Sequence, residues 1–472
     1  MSNSLNLFFN NDKTTKKPTI KTNIEVDEII QEKKVEVSEL PKISPKKIIP
    51  ESEDCMPLYT TLELTDDLTM PWENVRDMDE KTFDEYAERL RVYFLEQYEK
   101  NNHPAGVGDV TLENIIDRLQ KFNNLDINSD MIYFENDGNK ILKGYNTWSS
   151  VIDHWFPEMM DVEISNGVSN SVKPSIMGVF RDIPLYKTKI KRMLWKDKLN
   201  GWKKDPTKPV WPTLKQSLRM GSGTQPVTNI RGTVAKWIWQ TEMLKYKHLD
   251  EIVVYDPSMG WAGRLISFLA ATNHPDLKGK KCVYIGTDPN STIYPRYKMI
   301  ETFWKKYVDT ECTAEVIPLC LPAEDIKYDP IFEQYKGKVC VAYTSPPYFG
   351  KERYSNDPEQ SYKRYSQYTS WRDGFLEGTI KNCYDLLMPN SNLFWNIGNL
   401  KISKGKFLPL ETDSIKKAMK IGFKHEETIK MLMRYVIGRD ENLKQMSVDK
   451  SMNIIEIDGQ LTKYEPVLIF TK

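Results

Sequence analysis

The second half of the chain alternates short apolar runs with stretches of helical or polar character. From about Asp250 onward, each run carries Val, Ile, Tyr or Phe and ends in turn residues, as strands do. The runs are EIVVYDP, KCVYIGTD, TAEVIPLC, KVCVAYTSPPY, SNLFWNIGN, FKHEETIKML and EPVLIFTK. Strands that alternate with helices favour a parallel, doubly wound α/β sheet with both faces covered. Ligands of such sheets bind at the carboxyl ends of the strands, so the loops after these runs are candidate functional segments.

The first half of the chain has a different pattern. In DEYAERLRVYFLEQYEK, the residues Tyr86, Leu90, Tyr93 and Phe94 recur at helical spacing, and Thr111 is a candidate cap for a second helix, TLENIIDRLQKF. The first 55 residues mix Lys and Glu in short blocks and show no sustained period. We therefore predict a disordered tail over 1–55, a mainly helical N-terminal unit over 56–215 and an α/β domain over 216–472.

Composition excludes some classes of protein. The 66 basic and 66 acidic residues give zero formal net charge, so binding to nucleic acid requires a local basic face. No apolar stretch is long enough to span a bilayer, and the N-terminal apolar patch precedes its lysines, the reverse of a secretory signal. We therefore expect a cytoplasmic protein without a membrane partner. The six cysteines are scattered without a CxxC pair, which predicts reduced thiols and no metal site.

The first predicted strand of the α/β domain ends in a loop rich in small residues. The loop reads Asp256-Pro-Ser258-Met-Gly260-Trp-Ala262-Gly263-Arg and leads into an apolar helix, LISFLAA. Small residues let the backbone approach a ligand closely, and the amino end of the helix adds a favourable dipole. A tight strand-to-helix turn without a ligand is the alternative interpretation.

The next two strands end in acidic residues. Asp288 follows the second run in Gly-Thr-Asp-Pro, where an ionised acid can accept both hydroxyls of a ribose. An Asp before Pro also caps helices, so that alternative stays open. Glu324 and Asp325 follow the third run and can accept a hydrogen bond from an adenine amino group, or simply begin a helix.

The most specific motif follows the fourth run and reads Ser345-Pro346-Pro347-Tyr348. A diproline cannot continue a helix and has no N–H to donate, so its carbonyls remain acceptors in a rigid loop. The Ser345 hydroxyl and the Pro346 carbonyl can hold both N–H groups of a base amine and aim its lone pair at a methyl sulfonium. Tyr348, together with Phe349, can stack on a base taken out of a duplex.

This motif resembles the catalytic motif of DNA amino-methyltransferases, and DPSMGWAGRL is similar to their cofactor motif. The resemblance covers roughly residues 220–472 and is nearest to phage-type adenine-N6 or cytosine-N4 enzymes. It implies a Rossmann-like methyltransferase sheet whose last strand, YEPVLIFTK, is antiparallel to the rest. It also implies S-adenosyl-L-methionine as cofactor, double-stranded DNA with a flipped base as partner, a role in restriction-modification and, for a phage or viral gene, the host cytoplasm.

The resemblance leaves several alternatives open. The Ser form of the motif is compatible with adenine and with cytosine, and the oligomeric state is not indicated. Enzymes that methylate RNA or a protein amide carry a similar Pro-Pro-Tyr motif, often after Asn or Asp. A non-catalytic nucleic-acid-binding protein of the same fold is a third possibility.

The resemblance also assigns residues. Asp256, Ser258, Gly260 and Gly263 would line the methionine part of the cofactor, although the family carries Phe at 258 and its second glycine at 262. Asp288 would hold the ribose, Glu324 or Asp325 the adenine, and Ser345 to Tyr348 the target amine. Asn229 and Arg231 lie where such enzymes place a further cofactor-contacting turn, although a helix cap is the alternative there.

The loop after the motif interleaves basic and aromatic residues. Lys351 and Arg353 could follow phosphates, while Phe349 and Tyr354 could contact the base, so we predict that these four bind substrate. A solvated surface loop is the alternative. The C-terminal segment is short, which assigns target recognition to this loop or to the helical N-terminal unit.

Overall fold

A computed structural model describes residues 55–105, 110–127, 132–165, 172–195, 205–211, 214, 224, 227–403, 406–435, 453–457 and 459–472. They belong to one compact unit, Pro50–Lys472. The predicted disordered tail therefore lies, except for Cys55, outside the described residues.

The secondary structure combines short N-terminal helices with alternating strands and helices further along. The α-helices are α1 (Asp66–Thr69), α2 (Trp72–Arg76), α3 (Glu80–Asn101), α4 (Leu112–Asn123), α5 (Ile176–Arg181), α6 (Ile183–Ile190), α7 (Gly232–Lys245), α8 (Gly263–Ala271), α9 (Tyr294–Phe303), α10 (Pro330–Tyr335), α11 (Ser361–Arg364), α12 (Tyr368–Ser370), α13 (Glu377–Leu386) and α14 (Leu410–Ile421). The strands are β1 (Tyr133–Asn136), β2 (Asn139–Leu142), β3 (Glu163–Ser165), β4 (Val172–Lys173), β5 (Glu251–Asp256), β6 (Lys281–Thr287), β7 (Glu315–Leu319), β8 (Val339–Thr344), β9 (Glu352–Arg353), β10 (Leu387–Asn396), β11 (Leu400–Ser403), β12 (Lys406–Leu408), β13 (Lys424–Tyr435), β14 (Ile454–Ile457) and β15 (Gln460–Thr471). Shorter 3₁₀ or π turns cover Ser149–Trp155, Pro157–Met160, Lys191–Trp195, Trp304–Val308, Ala323–Tyr328 and Trp371–Leu376.

The large sheet has ten strands, in the order β1-β2-β13-β15-β10-β8-β5-β6-β7 with β14 paired to β15. Its centre is parallel, because β5 pairs in parallel with β6 and β8, β6 with β7, and β8 with β10. The last strand, β15, lies antiparallel between β10 and β13. The sheet confirms the predicted Rossmann-like α/β architecture, including the antiparallel last strand.

Alternating side chains of the central strands enter two cores, one on each face of the sheet. In β5, Val254 packs with α7, α8 and α9, whereas Val253 and Tyr255 pack with α10, α13 and α14 on the other face. Successive side chains of a strand point to opposite faces, and both faces here are covered by helices. This explains why the central strands read as continuous apolar runs: every residue of β8 is buried.

The N-terminal segment contains the predicted helices but contributes to two cores. The Asp79 side chain caps α3 by accepting hydrogen bonds from the amides of Lys81 and Thr82, and Thr111 caps α4 as predicted. Helices α1, α2, α3, α5 and α6 share a core of their own. By contrast, α4 packs on the sheet core, and the hairpin β1–β2 extends the sheet beside β13. The boundary near residue 215 stays a prediction, although packing crosses it.

The described residues include no helix long and apolar enough to cross a membrane. Their cysteines are all free thiols, and most are buried. In the same part of the chain, no three His, Cys, Asp or Glu side chains come together in a way that could hold a metal ion.

Candidate active site

A cavity of about 470 Å³ lies at the carboxyl ends of the central strands. The chain proceeds outward from β5 to β6 and β7 on one side, and then from β8 to β10 on the other. This reversal is the topological switch point at which open α/β sheets bind ligands. The predicted residues that line the cavity are Asn229, Arg231, Ser258, Gly260, Asp288, Glu324, Ser345, Pro346, Pro347, Tyr348, Lys351 and Tyr354.

The loop after β5 turns sharply toward the cavity. Gly260 and Ala262 have left-handed backbone conformations, with φ of 51° and 58°. The N–H of Gly260 donates a hydrogen bond of 2.9 Å to the Asp288 carboxylate, which joins the ends of two neighbouring strands. Glycine is favoured at left-handed positions because it has no side chain. Ala262 therefore adopts this conformation at some cost in conformational free energy.

Asp256 lies behind this loop and does not border the cavity. Its fully buried carboxylate accepts hydrogen bonds from Arg264 Nε at 2.8 Å, from the Tyr284 hydroxyl at 2.5 Å and from the Ser258 amide at 3.1 Å. These three donors occupy the carboxylate. Asp256 thus supports the loop, and its predicted contact with the cofactor stays a prediction.

Asp288 lines the cavity at the end of β6. Its carboxylate accepts hydrogen bonds from the amides of Gly260 and Asn290, each at 2.9 Å. Burial raises its pKa to about 6, although both amide donors favour the ionised form. The helix-cap alternative is wrong, because α9 begins only at Tyr294.

Glu324 borders the cavity, whereas its neighbour Asp325 does not. The Tyr365 hydroxyl donates to Glu324 Oε1 at 2.9 Å, while Oε2 is buried and has no hydrogen-bond partner among the described residues. Burial raises the Glu324 pKa. Asp325 accepts a hydrogen bond of 2.7 Å from Arg364 and does not border the cavity. Glu324 is therefore the member of the pair that can accept a ligand's hydrogen bond.

The Ser345–Tyr348 motif forms the opposite wall, directly after β8. The Tyr348 hydroxyl donates to Glu465 at 2.5 Å and accepts the Gly398 N–H at 2.8 Å, while Lys351 Nζ lies 4.6 Å from the centre of its ring. These contacts fix the orientation of the ring. Ser345 is half-buried beside it.

Phe349 and Arg353 do not border the cavity, and their predicted contact with substrate stays a prediction. The Phe349 ring packs 5.6 Å from Tyr368 and 6.1 Å from Trp371 in the core. The Arg353 guanidinium lies over the Tyr362 ring at 5.8 Å. Both side chains are held by aromatic partners from the same interleaved loop.

The N-terminal segment holds this loop in place. Strand β9 pairs antiparallel with β3, and the Ser165 N–H donates to the Lys351 carbonyl at 2.7 Å. Ser165 Oγ also donates to the Gly350 carbonyl. No local sequence signal predicted this pairing, because the partners are separated by 185 residues.

Asn229 lines the cavity, and its side chain is anchored by two hydrogen bonds. Its Nδ2 donates to Asp153 at 2.9 Å and to the Trp261 carbonyl at 3.1 Å. The cap alternative is wrong for Asn229, since Arg231 is the N-cap residue of α7 and makes no side-chain cap. Arg231 Nη1 donates to the Gly144 carbonyl at 2.7 Å.

Gly263 does not border the cavity, but it packs against Asn229. A Cβ at position 263 would lie 2.8 Å from Asn229 Oδ1. We expect Gly263→Ala to destabilise the protein by about 1–3 kcal/mol, because the contact forces this anchored side chain to move. Thermal unfolding measures the effect.

The control for Gly263→Ala is the same change in an Asn229→Ala background. Removal of the Asn229 side chain opens the space that the new methyl group needs, so the added cost of Gly263→Ala should fall below half. An equal cost in both backgrounds would contradict the packing explanation.

Several lining residues were missed by the sequence analysis. Trp261 lies within the predicted loop, and its buried Nε1 has no hydrogen-bond partner among the described residues. Glu352 lies in the loop after the motif, between the two basic residues Lys351 and Arg353, and no local pattern distinguishes it. Glu465 and Asn396 reach the cavity from β15 and β10, and nothing in the local sequence distinguishes them.

Comparison with known proteins gives a family match and several similar solved structures. No curated protein matches the chain. Among solved structures, a proposed DNA modification methylase from Thermus thermophilus is 20% identical, with 32% of this chain and 51% of that protein covered and a TM-score of 0.21. The chain thus spans about half the length of that protein. The Thermus thermophilus protein has also been crystallised in complex with S-adenosyl-L-methionine. That structure is 19% identical, with 32% of this chain and 50% of that protein covered and a TM-score of 0.20.

A 16S rRNA (adenine(1408)-N(1))-methyltransferase from Catenulisporales acidiphilia is 14% identical, with 49% of this chain and 90% of that protein covered and a TM-score of 0.28. The family match covers β8, the Ser345–Tyr348 motif, β10, β13 and β15. Residues 339–472 match the DNA methylase family of N6 and N4 amino-methyltransferases.

Proposed function

We propose that this protein transfers a methyl group from S-adenosyl-L-methionine to the exocyclic amine of adenine or cytosine in DNA. The observation that carries the proposal is the cavity that brings Ser345–Tyr348 together with Asp288 and Glu324. The match of residues 339–472 to DNA methylases supports DNA as the substrate and S-adenosyl-L-methionine as the cofactor.

The lining of the cavity fits that cofactor. Its volume, about 470 Å³, lies within the range of small-molecule sites. Asp288 can accept both ribose hydroxyls, and the unpartnered Oε2 of Glu324 can accept from the adenine amine. Ser258 and Gly260 line the same cavity, and we assign them to the methionine part. When bound, the cofactor supplies an activated methyl group on a sulfonium.

The chain's own contribution is to hold and orient the amine. The Ser345 hydroxyl and the Pro346 carbonyl accept its two N–H groups, so the nitrogen lone pair points toward the methyl group. Tyr348, fixed by Glu465 and Gly398, offers a ring face on which the base stacks. A base inside duplex DNA cannot reach such a recessed wall, so the target base leaves the stack. Correct positioning supplies much of the rate.

The experiment is a transfer assay with labelled S-adenosyl-L-methionine on unmodified duplex DNA and on RNA, followed by nucleoside mass spectrometry. Label in N6-methyladenine or N4-methylcytosine of DNA would support the proposal and name the base. Label in RNA alone would reassign the substrate. Cofactor binding without transfer to either would contradict the enzymatic function and favour a binding protein of the same fold.

Affinity for S-adenosyl-L-methionine will depend on pH through Asp288. Its pKa of about 6 means that the carboxyl is protonated below pH 6 and then cannot accept both ribose hydroxyls. Affinity should therefore fall about tenfold between pH 7 and pH 5. Calorimetry at both values measures the change.

Asp288→Asn should bind the cofactor more weakly than the unmodified protein at pH 7 and lose most of the pH dependence. Asp276→Asn is the matched control, because Asp276 is a half-exposed surface acid paired with Lys247. An unchanged pH dependence in Asp288→Asn would exclude Asp288 as the titrating group.

Target recognition and biological role rest on the motif resemblance and on the position of the N-terminal segment. The β3–β9 pairing joins that segment to the loop after the motif, so both predicted recognition regions adjoin the cavity. A phage-type enzyme of a restriction-modification system would protect DNA from cleavage at its own site. Digestion of methylated DNA with a panel of restriction endonucleases tests that role.

A further inference from the structure

The wall of the cavity beside Ser345–Tyr348 carries an acid that the mechanism above does not use. Glu352 lines the cavity, and its side chain is only 10% exposed. Lys351 Nζ lies 3.5 Å from Glu352 Oε1. The other oxygen, Oε2, is buried and has no hydrogen-bond partner among the described residues. A buried polar atom without a partner costs free energy unless a ligand satisfies it.

The backbone fixes the position of Glu352 relative to the motif. Glu352 lies in β9, opposite Ile164 of β3, and follows the Ser345–Tyr348 motif closely in the sequence. Tyr354, two residues further, lines the same cavity. Alternate residues of an extended segment point to the same side, which explains why Glu352 and Tyr354 both face the ligand space while Arg353 does not.

The surroundings of Glu352 raise its pKa, which shifts the carboxyl toward the neutral form. Burial raises its pKa, and the nearby Glu465 carboxylate acts in the same direction, while Lys351 and the Tyr348 amide oppose both. Tyr354 is uncharged, since its own pKa is raised by burial. A neutral carboxyl carries one O–H and can donate a hydrogen bond, whereas an ionised one only accepts.

We propose that Glu352 donates a hydrogen bond from Oε2 to the ring nitrogen next to the target amine, which is N1 of adenine or N3 of cytosine. This inference rests on the proposed function, because it assigns the base edge that the same cavity recognises. Ser345 and Pro346 accept from the amine, so the base edge would meet two acceptors and one donor. Guanine and thymine carry N–H at the corresponding ring position. This N–H and the Glu352 O–H would then face each other as two donors, and neither would have an acceptor.

The test uses a duplex that contains the enzyme's own methylated site, mapped first by sequencing of the product DNA. The target base is replaced by 1-deazaadenine or 3-deazacytosine, in which a C–H group takes the place of the ring nitrogen. We expect kcat/KM of the unmodified protein to fall about 10- to 100-fold on the analogue, the range for a lost hydrogen bond in a buried site. Glu352→Ala should show a similar fall on the normal base and little further fall on the analogue.

Glu352→Gln separates the donor role from a structural one. The Gln amide has the shape of the neutral carboxyl and always carries a donor, so this variant should retain most activity and still discriminate against the analogue. Its kcat/KM should also stay level where that of the unmodified protein declines, as pH rises through the raised pKa of Glu352. Thermal unfolding and cofactor calorimetry establish that both variants are folded.

The possible failures are distinguishable. Absence of methyl transfer by the unmodified protein would overturn the proposed function itself. Methyl transfer that proceeds equally well on the normal and the deaza base would overturn only the role of Glu352. A Glu352→Gln variant that loses activity as fully as Glu352→Ala would also overturn it, because the ionised acid would then be the required form.

Discussion

Ser345→Ala will lower kcat for methyl transfer about 100-fold, while S-adenosyl-L-methionine binds within about twofold of the normal affinity. Ser345 lines the cavity directly after β8, and in the proposed function its hydroxyl is one of two acceptors for the amine. Its removal frees one N–H of the amine, so the lone pair loses its direction toward the methyl group. Asp288 and Glu324, the proposed cofactor contacts, follow other strands, so the substitution leaves them in place. Single-turnover kinetics and calorimetry measure the two quantities.

Ser370→Ala is the matched control for Ser345→Ala. Ser370 also carries a hydroxyl, but it is exposed and donates locally to the Gln367 carbonyl at 2.8 Å. The kcat of Ser370→Ala for methyl transfer should equal that of the unmodified protein. If Ser345→Ala had a normal kcat, the hydroxyl would not take part in the mechanism. If the variant instead lost affinity for the cofactor, Ser345 would be a cofactor-binding residue.

Arg264→Leu will lower the free energy of unfolding by about 3–5 kcal/mol. The Arg264 and Asp256 side chains are 8% and 0% exposed and lie 2.8 Å apart. Replacement of the guanidinium by an alkyl group leaves the Asp256 carboxylate buried without its cation, although Tyr284 still donates to it. Arg264 also donates to the Ser258 carbonyl, so the loop after β5 should loosen at the same time. Urea unfolding measures the stability.

Arg89→Ala is the control for the buried pair. Arg89 binds Asp67 through two hydrogen bonds of 2.8 and 2.9 Å, but the side chains are 53% and 25% exposed. Solvent screens this pair, so the expected cost is within about 1 kcal/mol. If both substitutions lowered the free energy of unfolding by the same small amount, the buried Asp256–Arg264 pair would not stabilise the loop after β5.

The sequence by itself determined the framework of the protein. Apolar runs of strand length, each followed by turn residues, indicated the parallel sheet, and Ser345–Tyr348 after the fourth run indicated which edge of the sheet carries the site. Both signals are local: they depend on the period of side chains along a strand and on the rigidity of a diproline. The resemblance added the antiparallel last strand, which β15 confirms.

Only the tertiary structure decided which of the acidic residues face the cavity. Asp256 is engaged behind the loop, Asp325 is paired with Arg364, and Glu324 and Glu352 each present an unpartnered oxygen. The neighbours Glu324 and Asp325 both pair with Arg364, a residue distant in sequence, but only Glu324 borders the cavity. The β3–β9 pairing and the Tyr348–Glu465 contact are likewise long-range. Such contacts leave no periodic trace in the local sequence, so packing alone assigned these roles.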